Sequence, residues 1–341
     1  MGAAAAVILI RERQVEGRQA VRPQRRRVSF VVVTGMLAAL AVATVACRSN
    51  DANSLAPGAG ATRTLLTDAP FPFDNVARVD LYVVSVSASL SPDTGAASSG
   101  GNFVTLATPN RRIDVLALQG GRTDELGSTT LSAGAFTAVR MIIDTDSSSI
   151  TLKNGKKLTG SSSPRIQWQS SAGRPVLNAL IQEQILVPRA GGTVVIDYDV
   201  GQAFIPTQQL EPLSPDSGFI FSPVLRAADA TRTGSITGSV RARGSSGAAV
   251  VDASLRLYIG NPAGAENTWS VLGTAKTDSS GAFRFSYVTR SSYWAGIPAF
   301  AGKSYIVVVD PPTGAGLGRA LLPGVVVSVG GTTSVGTLVL P

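Results

Sequence analysis

The sequence predicts an all-β protein, two β-sandwich-like domains following an export signal and a flexible tether. Short runs rich in Val, Ile, Thr, Phe and Tyr recur along residues 64–341, and several alternate apolar with polar positions, the period of a half-buried strand. Clusters of Gly, Ser, Asp and Pro separate these runs at the spacing of sandwich strands. The composition agrees: 36 Gly, 15% charged and 6% aromatic residues in a chain of 341 fit cores built from small and β-branched side chains. A single cysteine excludes an intrachain disulfide, so stability rests on those cores.

Residues 1–46 read as a signal region. Arg25, Arg26 and Arg27 precede an almost unbroken apolar run over 28–46, and Cys47, the only cysteine, follows at once. A basic cluster, an apolar core and small residues before a cleavage point are the parts of a secretory signal. Thr44-Val45-Ala46-Cys47 resembles a bacterial lipobox, whose cysteine is acylated and becomes the new N-terminus, although Leu is usual where Thr44 stands. Cys47 is therefore the expected lipid attachment site. Each buried methylene contributes about 0.8 kcal/mol, so several acyl chains anchor a protein stably. The rival reading is an uncleaved transmembrane anchor, since roughly 20 apolar residues span a bilayer. Arg48 stands where an inner-membrane retention signal would place Asp. The expected address is the bacterial envelope, at the periplasmic or surface face of the outer membrane. Residues 1–24 suit an over-extended start.

The formal charge of +8 belongs mostly to this leader. Its seven Arg and two Glu carry +5, leaving +3 for the rest, so the basic balance gives no argument for a nucleic-acid partner. The chain has no histidine. That excludes Ser-His-Asp and Cys-His catalysis and removes the commonest transition-metal ligand. No cofactor or metal is implied.

Residues 47–63 read as the lipidated cysteine and its tether, rich in Asn, Gly, Ala and Pro with nothing to bury. A first domain is expected over 64–228. A strand over 77–90 shows Val84, Val86, Ala88 and Leu90 alternating with Ser85, Ser87 and Ser89. A Gly/Ser loop over 91–102 leads to a short strand at 103–107. Residues 112–120 are apolar with room for one helical turn, closed by Gly120-Gly121. Residues 129–131 lead into a turn at Ser132-Ala133-Gly134. A strong strand is expected at 136–143, a turn over 144–149, and a returning strand at 150–153 before the tight turn Asn154-Gly155. Strands at 182–187, 193–200 and 218–227 complete about eight, the usual size of a sandwich.

Thr67-Asp68-Ala69-Pro70, Asp114-Val115-Leu116-Ala117-Leu118-Gln119-Gly120 and Leu131-Ser132-Ala133-Gly134-Ala135-Phe136 are similar to motifs of a bacterial family called domain of unknown function 4382. So are Gly191-Gly192-Thr193-Val194-Val195-Ile196-Asp197-Tyr198-Asp199-Val200 and Pro223-Val224-Leu225-Arg226. The resemblance spans the whole first domain in order. It implies a secreted or lipid-anchored β-rich protein and no activity or site.

A linker over 229–233 leads to a second domain at 234–341. Strands are expected at 235–242, 250–259, 270–276, 283–287, 304–309, 317–322, 325–329 and 335–340. Ile236-Thr237-Gly238-Ser239-Val240, Val251-Asp252-Ala253-Ser254-Leu255 and Thr277-Asp278-Ser279-Ser280-Gly281-Ala282-Phe283-Arg284-Phe285 resemble the carboxypeptidase regulatory-like domain, a small transthyretin-like sandwich. In the last motif Asp278 can form an Asx-turn, Gly281 can take positive φ, and Phe283 and Phe285 then point inward. The resemblance implies no peptidase activity. The fold is also similar to starch-binding modules, which raises carbohydrate binding by analogy.

Three stretches are candidate sites. Asp144-Thr145-Asp146-Ser147 opens like a calcium loop, but Ser149 and Gly155 stand where Gly and Glu are needed, so an ordinary turn is expected. Asp197 and Asp199 share one strand face; paired carboxylates can do acid/base work, yet no facing partner is identifiable and a solvated face is the simpler reading. Residues 289–300 form a loop holding Tyr293, Trp294 and Phe300, which would either stack on sugar rings or cover an open sandwich end. Trp168 and Trp269 are expected in cores or at their rims. The sequence thus leads to a non-catalytic, lipid-anchored envelope protein with a structural or interaction role. A carbohydrate-binding surface module using Tyr293 and Trp294 is the alternative, and a carboxylate-dependent hydrolase using Asp197 the remote one. The expected partners are the membrane, through the lipid, and a polysaccharide or envelope protein.

Overall fold

A computed structural model describes residues 59–69, 75–89, 103–168, 173–208, 217–244 and 247–341. They belong to one compact unit, Asn53–Pro341. The expected signal and Cys47 lie outside the described residues. The chain is all-β, in two modules with separate cores.

The first module contains β1 (Ala59–Asp68), β2 (Val76–Ser89), β3 (Phe103–Ala107), β4 (Arg111–Asp114), β5 (Asp124–Ser132), β6 (Gly134–Phe136), β7 (Ala138–Leu152) and β8 (Lys157–Leu158). It continues with β9 (Ile166–Gln167), β10 (Val176–Ile181), β11 (Ile185–Val187), β12 (Gly192–Tyr198), the single-turn helix α1 (Val200–Ala203), β13 (Phe204–Pro206), β14 (Phe219–Phe221) and β15 (Leu225–Asp229). The main sheet runs β3-β2-β7-β10-β15-β12-β1-β5, with β4 added to β2 and β8 to β7. The sheet rolls up, so that a Cβ at Gly127 of β5 would stand 3.1 Å from the Ala107 side chain at the end of β3. Its interior is filled by Leu66, Leu81, Met141, Ile143, Ile150 and Tyr198, all fully buried. A small sheet, β13-β14-β9, closes one end of this core. There Trp168 meets Phe221 edge-on at 4.8 Å and Phe204 at 6.1 Å.

Strand β1 begins at Ala59, inside the stretch that reads as tether. The small residues there serve close backbone packing. A Cβ at Gly60 would lie 2.0 Å from the Gly191 nitrogen, and one at Gly191, 1.9 Å from the Ala61 carbonyl oxygen. Strand β7 corrects a second expectation. The segment over 144–149 is no hairpin turn. The strand runs on, pairing with β2 on both sides of a bulge, Tyr82 opposite Asp144 and Asp80 opposite Ser149. Side chains replace the missing ladder bonds. Ser148 Oγ accepts from Tyr82 N at 2.9 Å and donates to the Asp144 carbonyl at 2.6 Å, while Asp144 Oδ1 accepts from Ser147 N at 2.9 Å. The strand expected at 182–187 is also corrected: Gln182–Gln184 form a bend between β10 and β11. So is the strand at 218–227, which breaks into β14 and β15 around Pro223.

The second module contains β16 (Thr233–Ala242), β17 (Ser254–Gly260), β18 (Ser270–Lys276), β19 (Ala282–Thr289), the short helix α2 (Ser291–Ala295), β20 (Ser304–Asp310), β21 (Ala320–Val325) and β22 (Thr332–Leu340). A three-stranded sheet, β19-β16-β22, packs on a four-stranded one, β18-β17-β20-β21. The two strands expected over 317–329 are one, β21. The Asp278 turn forms as its residues suggest. Asp278 Oδ1 accepts from Ser280 N at 2.8 Å and Ala282 N at 3.0 Å, Gly281 has φ +77°, and Phe283 and Phe285 are buried.

Candidate functional site

The structurally distinctive region is the seam between the modules. Strand β15 ends at Asp229, whose carboxylate accepts from Thr231 N at 2.9 Å and caps one tight turn before β16 begins at Thr233. No slack remains between the modules. On one side of the seam the bend after β10 offers Gln182 and Glu183. On the other, Arg290 grips Glu183 through two nitrogens, at 2.6 and 3.2 Å, and Arg232 of the capped turn bonds the same carboxylate. Thr289 Oγ1 donates to Gln182 Oε1 at 2.7 Å, and the Tyr293 hydroxyl donates to the Gln182 carbonyl. Charged groups in such half-buried positions hold because they are paired and hydrogen-bonded.

This contact explains the aromatic loop. Trp294 is 7% exposed and donates its Nε1–H to the Tyr305 hydroxyl at 2.6 Å, and that hydroxyl donates to the Thr289 carbonyl. Phe300 is half-buried against Trp294, with ring centres 4.6 Å apart and Lys303 Nζ 4.4 Å over its face. Tyr293, Trp294 and Phe300 thus form the end of the second core and part of the seam. Trp269 lies at that module's rim, its Nε1 donating to the Asn261 carbonyl at 2.8 Å.

The carboxylates at the end of β12 are not on a solvated face. Strand pairing puts Arg226 directly opposite Asp197. Its Nη1 lies 3.6 Å from Asp197 and 3.4 Å from Asp199. Asp199 is fully buried, caps α1 by accepting from Gln202 N at 3.1 Å, and binds the Gln202 amide as well. The missed member is Asp68, brought alongside by the parallel pairing of β1 with β12. It is 4% exposed; Oδ1 accepts from Val200 N at 3.0 Å, and Oδ2 has no partner. Burial, reinforced by the charges of Asp197 and Asp199, pushes the Asp68 carboxyl well up despite backbone bonds from Val200 and Ala69. Burial likewise raises Asp197 to about 6, with Arg226 pulling it down and Asp199 up. Only long-range strand pairing reveals Asp68, although its place at the end of the apolar run Leu65-Leu66-Thr67 marks it as a charge beside a core.

Asp68, Asp197 and Arg226 line a cavity of about 70 Å³ at the seam, faced from the second module by Thr274, Arg284, Ser286 and Tyr287. Two backbone irregularities shape it. Tyr287 has φ +54° beside the β16–β19 bulge, and Gly121, at φ +85°, would drive a Cβ to 2.2 Å from Ser286 Oγ. Among the described residues no group of three His, Cys, Asp or Glu side chains is disposed to hold a metal ion.

Residues 59–223 match the family model described as Domain of unknown function (DUF4382). No curated protein matches the chain. Among solved structures, the minor pilin GBS52 of Streptococcus agalactiae is similar at 10% identity and TM-score 0.19, over 82% of this chain and 95% of its own. The major pilin subunit BcpA of Bacillus cereus is similar at 10% identity and TM-score 0.21, over 83% and 70%. A 9R-lipoxygenase from Cyanothece is similar at 16% identity and TM-score 0.20, over 41% of this chain. The chain spans only 19% of that lipoxygenase. Likeness at this level transfers no property to the chain.

Proposed function

We propose that the chain is a non-catalytic, lipid-anchored envelope protein that acts as a rigid two-module structural or interaction unit. The observation that carries this is the seam: a one-turn connection and Glu183 shared by Arg232 and Arg290 lock the modules together. Residues that chemistry would draw on are engaged in building the fold. Asp199 caps a turn, Asp197 faces Arg226, and Trp294 sits in a core. The three-on-four sandwich of the second module suits the small sandwich that the carboxypeptidase regulatory-like resemblance implies. Membrane attachment through Cys47 follows from the basic cluster, the apolar run and the single cysteine.

The test is fractionation of a bacterial host expressing the full chain. The chain is expected with the membranes, and Cys47→Ala is expected to release it to the soluble fraction. A Cys47→Ala chain that stays in the membrane would instead assign anchoring to the apolar run over 28–46. For the carbohydrate alternative, a polysaccharide panel is screened with the chain and with Tyr293→Ala/Trp294→Ala. The packing of both rings predicts lost thermal stability as the variant's main effect. Strong glycan binding, abolished in a variant of unchanged stability, would reverse that assignment.

A further inference from the structure

We propose that the open groove beside β9 in the first module is a binding site for a neutral saccharide, with Trp168 as its apolar platform and Asp146, Arg165 and Gln167 as its hydrogen-bonding rim. This goes beyond the structural role above and involves neither Tyr293 nor Trp294. Size is the first observation. The groove holds about 950 Å³, against about 70 Å³ for the cavity at the seam, and ligand sites run to roughly 300–1,000 Å³. Unspent polar groups are the second. Asp146, Arg165 and Gln167 are exposed along the groove, and their side chains make no hydrogen bond or ion pair to the described residues. Asp144, on the same strand as Asp146, is by contrast engaged with Arg174 and Ser147. The platform is the third. Trp168 is half-buried, held edge-on against Phe221 and Phe204, and its remaining surface lines the groove. Its indole N–H is buried near Gly160, so what it offers a ligand is ring surface and not a donor. Gly160 permits that close approach, since a Cβ there would stand 3.1 Å from Trp168 Cδ1. Thr145 braces another part of the wall by donating its backbone N–H at 2.8 Å and its hydroxyl at 3.0 Å to the Gly173 carbonyl.

The rim sets the ligand's chemistry. A carboxylate only accepts hydrogen bonds, a guanidinium only donates and an amide does both, so a ligand that serves all of them carries donors and acceptors together. One charge of each sign gives a polyanion or a cation no net attraction. Among the described lining residues Trp168 is the only aromatic ring, and Ile166 beside it is buried, so no row of apolar pockets awaits the side chains of a peptide. A sugar ring combines what remains: an apolar C–H face for the indole and hydroxyls around its edge for the rim. The volume admits a short oligosaccharide.

The experiment titrates the purified full chain by isothermal calorimetry with cellohexaose, chitohexaose, maltohexaose and mannohexaose. A neutral peptide of alternating serine and glycine and the acidic hexagalacturonate are the controls. Saturable binding of at least one neutral sugar is expected, with both controls much weaker. Asp146→Ala and Gln167→Ala are each expected to weaken it about three- to tenfold, as loss of one or two hydrogen bonds does. Trp168→Ala is expected to weaken it about tenfold or more. Should Trp168→Ala fold poorly, because that ring also packs on Phe221, the two rim variants carry the test. Glu125→Gln, a surface carboxylate paired with Arg63, is expected to bind as the unaltered chain does. Binding to none of the neutral sugars, binding that both rim variants leave intact, or a peptide that binds as tightly as the sugar would overturn the site. None of these results touches the anchoring assigned to Cys47 or the rigidity of the seam.

Discussion

Two neighbouring glycines separate backbone strain from crowding at the seam. Gly120 and Gly121 both have positive φ, +73° and +85°. A Cβ at Gly120 would meet nothing within 4 Å, whereas one at Gly121 would run into Ser286 of the other module. Gly120→Ala should therefore cost only the left-handed penalty, about 1 kcal/mol. Gly121→Ala should cost about 1–3 kcal/mol more, because Ser286 must shift. Urea denaturation of the two variants measures the difference, and equal losses would show that the seam yields freely. Asp197 gives a pH signature at the same scale. Its folded carboxyl titrates near 6 against an ordinary 3.8, so the folded chain holds that proton more tightly than the unfolded one. The stability it contributes is full below the ordinary value and is lost as pH rises through about 6. Asp197→Asn should flatten the fall in unfolding midpoint between about pH 4 and 6. Parallel profiles for the chain and the variant would rule the shift out. Trp294→Ala, which empties a core site and removes the donor to the Tyr305 hydroxyl, should cost about 3–5 kcal/mol in the same denaturation series.

At the scale of elements, what the sequence conveys is where strands exist, and what it hides is their phase and their interruptions. Val86 and Ala88 alternate inward as their spacing suggests, but Val84 does not join them. A register shift between Val83 and Ser85 moves the buried set upstream to Val79, Leu81 and Val83. Period-two counting cannot register such a bulge, because it depends on the partner strand. The same limit made the 144–149 stretch look like a turn. Its Asp and Ser residues do hydrogen-bond to local backbone as turn residues do, yet inside a strand that continues. Ser148 is the test of that account. It is 1% exposed, and its hydroxyl oxygen accepts from Tyr82 N–H. Ser148→Ala should leave that half-buried donor unpaired and cost about 1–3 kcal/mol, whereas Ser147→Ala, which keeps its backbone N–H on Asp144 and loses only a half-exposed hydroxyl beside it, should cost less. Equal effects of the two substitutions would contradict the assigned roles. The Asp278 turn shows the opposite case: all its determinants lie within a few residues, so the sequence alone suffices.

At the scale of the whole molecule, the seam was the part least legible. Gln182 and Glu183 read as one end of a strand, and Tyr293 as either a sugar platform or the cover of a sandwich end, because each finds its partner more than a hundred residues away. Their pairing makes a mechanical prediction. Modules joined by a flexible linker melt separately, whereas a shared polar seam couples them. The described unit should therefore unfold in a single calorimetric transition. Glu183 is the residue to remove, since one carboxylate, 10% exposed, serves both Arg232 and Arg290. Truncating one partner of a fully buried pair costs about 3–5 kcal/mol; with both arginines a quarter to a third exposed, about 2 kcal/mol is expected here. The more telling readout is the shape of the scan. Glu183→Ala should split the single transition as the modules uncouple, and Glu125→Gln, an exposed pair remote from the seam, should leave it single. Two resolved transitions in the unaltered chain would mean that the seam does not transmit stability, and the rigid unit would have to be abandoned in favour of two modules that merely touch.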